Sequence, residues 1–321
     1  MNTFNENPVK YRPFSERTPD NQYENLLGDL LKYGDKKTSF HAQAIENANS
    51  GHQYCLEIPS RTLQFYVPNG APITPLRDLG DSGIFGAIGE MLAFINGERT
   101  LEGLIKYGCP KSFWANSLTK EKCDVWELKE GDLGPGSYGP NFTALPTHNG
   151  NTFNQITALS NQIKNNPFAR TNLISSWYAP LDMGDKTQNS PRKVVVAPCH
   201  GNMIQCDTMD NRNMHMTVYQ RSADSPVGLV YNLTEWFAFG MMVAYLGNLN
   251  FTWYSHVLPD PQIYDIQFDQ VKELLKREPR CLPSLYLKPK RKITNLTDFR
   301  KEDFEINDYF PHPKMKISSV V

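Results

Sequence analysis

Two apolar stretches set the frame for this chain of 321 residues: Ile84 to Phe94 and Thr234 to Leu246. Each is longer than an ordinary strand and well short of the run needed to cross a membrane. Both are therefore predicted to be helices buried inside a core, apolar on nearly every side. Shorter segments predict the strands that must pack around them. Leu56 to Val67 reads as a hairpin closed by Asn69-Gly70, and Asn172 to Trp177, Val194 to Ala197 and Met214 to Gln220 read as strands. Leu26, Leu27, Leu30 and Leu31 recur at helical spacing. Further helices are predicted over Glu98 to Tyr107 and Asn154 to Ile163, and one through Val271 to Arg277, ending before Pro279. Residues 108–153 hold many Gly, Pro and Asn, the make-up of an active-site loop region. No internal repeat or clean linker is visible. The reading is one mixed α+β domain over residues 21–321, preceded by a polar arm over residues 1–20.

Composition narrows the function classes. A net charge of −1 argues against a dedicated nucleic-acid binder, which would carry a basic face. The N-terminus has neither a basic stretch nor an apolar core, so no secretion signal is read and the cytoplasm is the expected compartment. The six cysteines, at 55, 109, 123, 199, 206 and 281, are scattered without Cys-x-x-Cys spacing. That pattern indicates neither a disulfide framework nor a metal site, and reduced thiols are expected. Asn141-Phe142-Thr143 and Asn232-Leu233-Thr234 match the glycosylation triplet by chance under this reading.

The densest chemistry lies in Ala197-Pro198-Cys199-His200 and Tyr219-Gln220-Arg221-Ser222-Ala223-Asp224. A thiolate is a strong nucleophile, and a nearby cation lowers its pKa. Arg221 offers a planar fork of donors suited to an anion such as phosphate. Taken alone, Cys199 could equally be a packed core thiol and Arg221 a surface arginine. Glu90 is an acid among Ile88, Met91, Leu92 and Phe94; burial would raise its pKa and suit it to proton relay.

These segments resemble thymidylate synthase. The likeness continues through Tyr231-Asn232, Asp260-Pro261-Gln262-Ile263-Tyr264, Glu302-Asp303-Phe304-Glu305-Ile306 and Pro311-His312-Pro313. In the first half, Gly89-Glu90-Met91-Leu92-Ala93-Phe94-Ile95-Asn96-Gly97, Gly131-Asp132-Leu133-Gly134-Pro135 and Tyr138-Gly139 follow in order. The resemblance implies an α+β thymidylate synthase-like fold, a mixed sheet packed with helices, and a homodimer through a sheet face with shared active sites. It also implies one-carbon transfer from 5,10-methylenetetrahydrofolate to carbon 5 of a uridylate. Carbon 5 is too weak a nucleophile unaided, and addition of a thiolate to carbon 6 turns the ring into an enolate.

Carried over to this sequence, the resemblance makes Cys199 the nucleophile, with Glu90, Tyr138, Arg221 and Asp224 beside it in catalysis. Substrate contacts would come from Arg170, His200, Gln220, Ser222, Asn232, Gln262 and Tyr264, with Arg170 reaching across the dimer. Trp114, Asp224 and the C-terminal Val321 would face the folate. The Asn232 position separates uracil users from cytosine users in the family, because an amide can accept from N3–H and donate to O4.

The departures from the family pattern are informative. Gln262 replaces the histidine of a His-x-Tyr sugar contact. Ala169-Arg170-Thr171 keeps one arginine of a pair. Asn49-Ser50-Gly51-His52 lacks the early phosphate arginine, for which Arg61 or Arg77 is the candidate replacement. Gly139-Pro140-Asn141-Phe142 lacks an aromatic-arginine pair, and Ala115-Asn116-Ser117 lacks the acid and second tryptophan expected after Trp114. Such departures resemble divergent members, the nucleotide hydroxymethylases of bacteriophages among them, in which water adds where a synthase transfers hydride. Deoxyuridylate hydroxymethylation is therefore the favoured expectation. Thymidylate synthesis and cytidylate or ribonucleotide modification are the alternatives.

Overall fold

The computed structural model describes residues 7–38 and 54–319. At its centre the two apolar stretches form helices Gly80–Ile95 and Gly228–Gly247, which pack against each other. Nearly every side chain of the second is buried, with Trp236, Phe237 and Phe239 among the largest. The first starts where the Asp78 carboxylate accepts from the Gly80 N–H and ends at Asn96-Gly97, where Gly97 takes a positive φ of 86°.

A five-stranded sheet lies over this pair, in the order Arg61–Tyr66, Asn250–Leu258, Asn213–Tyr219, Met203–Thr208, Leu173–Ile174. Asn250–Leu258 and Asn213–Tyr219 run parallel and the other neighbours antiparallel. Burial alternates along the outer strands, so one face rests on the helices and the other carries polar side chains with Tyr66, Trp253, Tyr219 and Met203 exposed. A second sheet orders Asp35–Lys37, Cys55–Glu57, Pro261–Tyr264 and Ala223–Asp224.

Two strand predictions are corrected. Cys55–Glu57 and Arg61–Tyr66 belong to different sheets and do not form a hairpin. The break at Ile58-Pro59-Ser60 frees each piece to pair elsewhere, because Pro59 has no N–H to donate to a ladder. Val194 to Ala197 forms no strand: it bends at Val195 and Val196 and is unladdered. The Val195 N–H finds Leu133 O, and Arg192 binds the carbonyls of Val194 and Val195. One backbone carbonyl and one side chain thus satisfy groups that a neighbouring strand would otherwise cover. The described part of the N-terminal arm is docked: Tyr11 and the buried Arg17 donate to carbonyls at Leu285 and Leu282.

Candidate active site

The site forms where the two central helices meet the Cys199 segment. On helix Gly80–Ile95, Glu90 and Phe94 lie four residues apart and so share a face. Phe94 stacks on Tyr138 with ring centres 4.3 Å apart, and Tyr138 lies 4.6 Å from the His200 ring. On helix Gly228–Gly247, Asn232, Glu235 and Trp236 line one face at spacings of three and four. Gly201 makes the approach possible: its φ is +57°, and a Cβ there would lie 2.3 Å from the Trp236 ring.

Cys199 is half-buried. The Tyr138 hydroxyl accepts from the Cys199 N–H at 2.9 Å and lies 3.5 Å from its sulfur. Arg221 donates through Nε to Pro198 O and through Nη2 to Ala197 O, both at 2.9 Å, and lies over the Trp177 ring. The guanidinium therefore braces the backbone just before Cys199. Burial pushes the Cys199 thiol above its ordinary pKa, while Arg221 and Tyr138 pull it down without cancelling that effect. The expected lowering is thus present but outweighed.

Behind Cys199 lies a fully buried acid cluster. The Trp114 indole N–H donates to Glu90 Oε1. Burial, then the nearby Glu235, raise Glu90 to about 8. Burial raises Glu235 to about 8 as well. Glu235 Oε1 accepts from Asn232 Nδ2 at 3.1 Å and lies 2.9 Å from His200 Nδ1. His200 Nδ1 also accepts from the Trp236 indole at 3.1 Å, and burial lowers its pKa to about 4. The imidazole is therefore neutral, and its contact with Glu235 is no ion pair. Glu90, His200 and Glu235 bring ligand-capable atoms within 4.8 Å of one another. With lone pairs engaged by Trp114, Trp236 and Asn232, the set has the chemistry of a proton-holding cluster.

A hydrogen-bonded chain runs on from Asn232. Gln220 Nε2 donates to Asn232 Oδ1 at 3.0 Å. Gln220 Oε1 meets His256 Nε2 at 2.8 Å, and His256 Nδ1 meets the Tyr254 hydroxyl at 2.6 Å. With both ends satisfied, the Asn232 amide has one orientation: oxygen toward Gln220, nitrogen toward Glu235.

The rim is looser. Gln262 Nε2 donates to Ser222 Oγ at 3.2 Å, and the Cys55 thiol lies 3.6 Å from Gln262 Oε1. Strand Ala223–Asp224 runs parallel to Pro261–Tyr264, pairing Asp224 with Gln262. Gln267 Nε2 donates to both Asp224 oxygens, at 3.1 and 3.2 Å, and to Ser318 O at 2.9 Å. Burial raises Asp224 to about 7 against that stabilisation and raises the Tyr264 phenol as well.

Glu90, Trp114, Tyr138, Cys199, His200, Gln220, Arg221 and Asn232 thus come together, with Ser222, Asp224, Gln262 and Tyr264 in the adjoining small-sheet region. Arg170 is exposed in the turn before edge strand Leu173–Ile174. Arg77 is buried and donates to Pro226 O at 3.0 Å, while Arg61 lies 3.5 Å from Asp29. The substitutes suggested for the early phosphate arginine are thus engaged elsewhere. Val321 and residues Asn49 to His52 lie outside the described residues. In the segment after Tyr138, Asn141 donates to Gly136 O, Ser176 O and Asp182 Oδ2.

Sequence reasoning passed over Glu235 and Gln267. The signal for Glu235 was present: it is an acid within a long apolar helix, as Glu90 is. Gln267 had no such signal, because only folding places it between Asp224 and Ser318.

The thymidylate synthase family model matches residues 21–321, nearly the whole chain. The chain belongs to the thymidylate synthase family. It is accordingly an enzyme of one-carbon transfer, and the family's reaction places a one-carbon group on carbon 5 of a uridylate with methylenetetrahydrofolate as donor. No helix among the described residues is long and apolar enough to cross a membrane.

Proposed function

We propose that this protein hydroxymethylates deoxyuridylate at carbon 5, using 5,10-methylenetetrahydrofolate, through a covalent Cys199 adduct at carbon 6. The observation that carries the choice of product is the segment after Trp114. Trp114 commits its indole to Glu90, and Ala115-Asn116-Ser117 follows, with Asn116 exposed. A small polar segment there, in place of an acid and a second tryptophan, favours water beside the exocyclic methylene. Water adding to that methylene forms a C–O bond and gives up a proton, so the methylene no longer accepts a hydride and the folate is released as tetrahydrofolate.

Choice of base is supported by the Asn232 amide. Its remaining oxygen lone pair suits the N3–H of uracil, and its remaining N–H suits O4. Cytosine reverses both demands. Tyr138 holds the Cys199 N–H and thereby sets the direction of the sulfur. Ser222, Gln262 and Tyr264 suit the sugar and phosphate side. The donor supplies the one-carbon unit, and Asp224, a half-buried carboxyl next to the C-terminal tail, has the chemistry to accept from a pterin's N–H groups.

The open face of the large sheet supports a homodimer, with Trp253 and Tyr66 in ring contact at 5.1 Å on a surface otherwise facing water. Arg170, exposed near that sheet's edge, is the residue to serve the partner's phosphate. Arg170→Ala should raise the nucleotide KM about tenfold, the loss of one charged hydrogen bond; an unchanged KM would place the phosphate elsewhere.

The deciding experiment incubates purified protein with methylenetetrahydrofolate and deoxyuridylate, and follows dihydrofolate absorbance and product mass. A hydroxymethylated product without dihydrofolate supports the reading. A methylated product with stoichiometric dihydrofolate overturns it in favour of thymidylate synthesis.

A further inference from the structure

Glu235 Oε2 is buried and has no N–H or O–H donor. Its neighbour is the carboxyl of Glu90, and the two groups bring oxygens within 4.8 Å of each other. Two bare carboxylates held this close have no hydrogen to place between them, whereas one proton gives the unpartnered oxygen a bond. The surroundings supply no compensating cation. His200 is neutral, with Nδ1 accepting from Trp236. Arg221, the nearby guanidinium, is turned to the carbonyls of Ala197 and Pro198. The other titratable groups facing the pair are the Cys109, Cys199, Tyr138, Tyr254 and His256 side chains, and burial keeps each of these neutral. Two bare carboxylates in such a pocket would repel strongly with little solvent screening.

We propose that Glu90 and Glu235 share one proton across their facing carboxyl groups, and that Glu235 is the positioning residue that keeps this proton on Glu90 for the O4 atom of the pyrimidine. The inference rests on the pyrimidine reading above for its substrate, but the pair itself is a property of the free protein. When the Cys199 sulfur bonds to carbon 6, the C5=C6 π electrons shift toward the carbonyl at carbon 4. The shared proton moves to O4 and returns to the pair as carbon 5 forms its new bond. Glu235 also accepts from Asn232 Nδ2, so one side chain couples base reading to proton supply.

The test has two readouts. In ligand-free protein, the carboxyl C=O stretch of Glu90 is titrated by infrared spectroscopy and assigned by its loss in Glu90→Gln. Glu235→Gln should move its midpoint down by about one pH unit or more, because a like-charged neighbour has been removed. Glu235→Asp should restore much of the shift. An unchanged midpoint in Glu235→Gln overturns the pair. Second, exchange of carbon-5 deuterium from deoxyuridylate into solvent, without folate, reports ring activation whichever product forms. Glu235→Gln should bring the alkaline fall of this exchange to lower pH by the same interval, with nucleotide KM little changed. A normal wild-type exchange with no movement of that limb in Glu235→Gln overturns the catalytic half of the proposal. Absence of exchange in the wild type overturns both that half and the covalent reading, while the infrared result still decides the pair.

Discussion

The deep half of the site and its rim are built on different principles. Around Glu90, His200 and Glu235, rigid helices hold aromatic and amide partners, and most polar atoms are satisfied without a ligand. Around Asp224, Gln262 and Tyr264, short strands and the C-terminal tail meet through a few side-chain contacts. The first arrangement costs little reorganisation when charge develops, which suits chemistry. The second is tied by few bonds, which suits binding and release. Gln262, where the resemblance implies a histidine, lies in the second region. The reacting core keeps Glu90, Cys199 and Asn232.

Substitutions should divide along the same boundary. Cys199→Ala should lower turnover by at least about 10^4-fold with nucleotide binding retained, since it deletes the nucleophile and little else. Persisting turnover would remove the covalent step altogether. Trp114→Phe keeps the ring but removes the donor to Glu90. The loss of a hydrogen bond of about 1.5–3 kcal/mol should cut kcat some ten- to hundredfold and leave nucleotide KM nearly constant. A change confined to KM would assign Trp114 to the rim. Gln267→Leu unties Asp224 from Ser318 and should raise the folate KM about fivefold, the scale of one neutral hydrogen bond, with kcat almost intact. A fall in kcat instead would show that the rim takes part in the chemistry.

The smallest effect concerns stability. Glu235 has a folded pKa of about 8, above the ordinary carboxyl value of 4.5. The folded protein therefore binds this proton more tightly than the unfolded chain, and the stabilisation is complete below about pH 4.5 and lost as pH rises through about 8. Glu235→Gln removes that loss. Its Tm should exceed the wild type's by a few degrees at pH 8.5, and the gap should close toward pH 5. A constant gap across this range would trace the effect to packing.

Legibility in the sequence followed the range of the forces involved. Helices Gly80–Ile95 and Gly228–Gly247 were readable because a long apolar run leaves few other outcomes in water. Val194 to Ala197 misled because a β-branched run specifies no partner strand, and here the chain bends while Arg192 and Leu133 supply what a ladder would. The hairpin over Leu56 to Val67 failed for the same reason: each half found its neighbour far away in the chain. Most of the site was legible through motif resemblance, whereas Glu235 had the same local signal as Glu90 and needed only the same reasoning.

The sequence by itself determined the family and the buried helices and singled out Cys199, because motif identity and local periodicity are properties of short segments. Only the tertiary structure decided that Glu90 and Glu235, on separate helices, face each other without a cation between them. It also decided that burial outweighs Arg221 at the Cys199 thiol, and that Gln267 joins Asp224 to the tail. Protonation and solvation depend on everything that surrounds a group in space, and that sum exists only once distant segments have packed together.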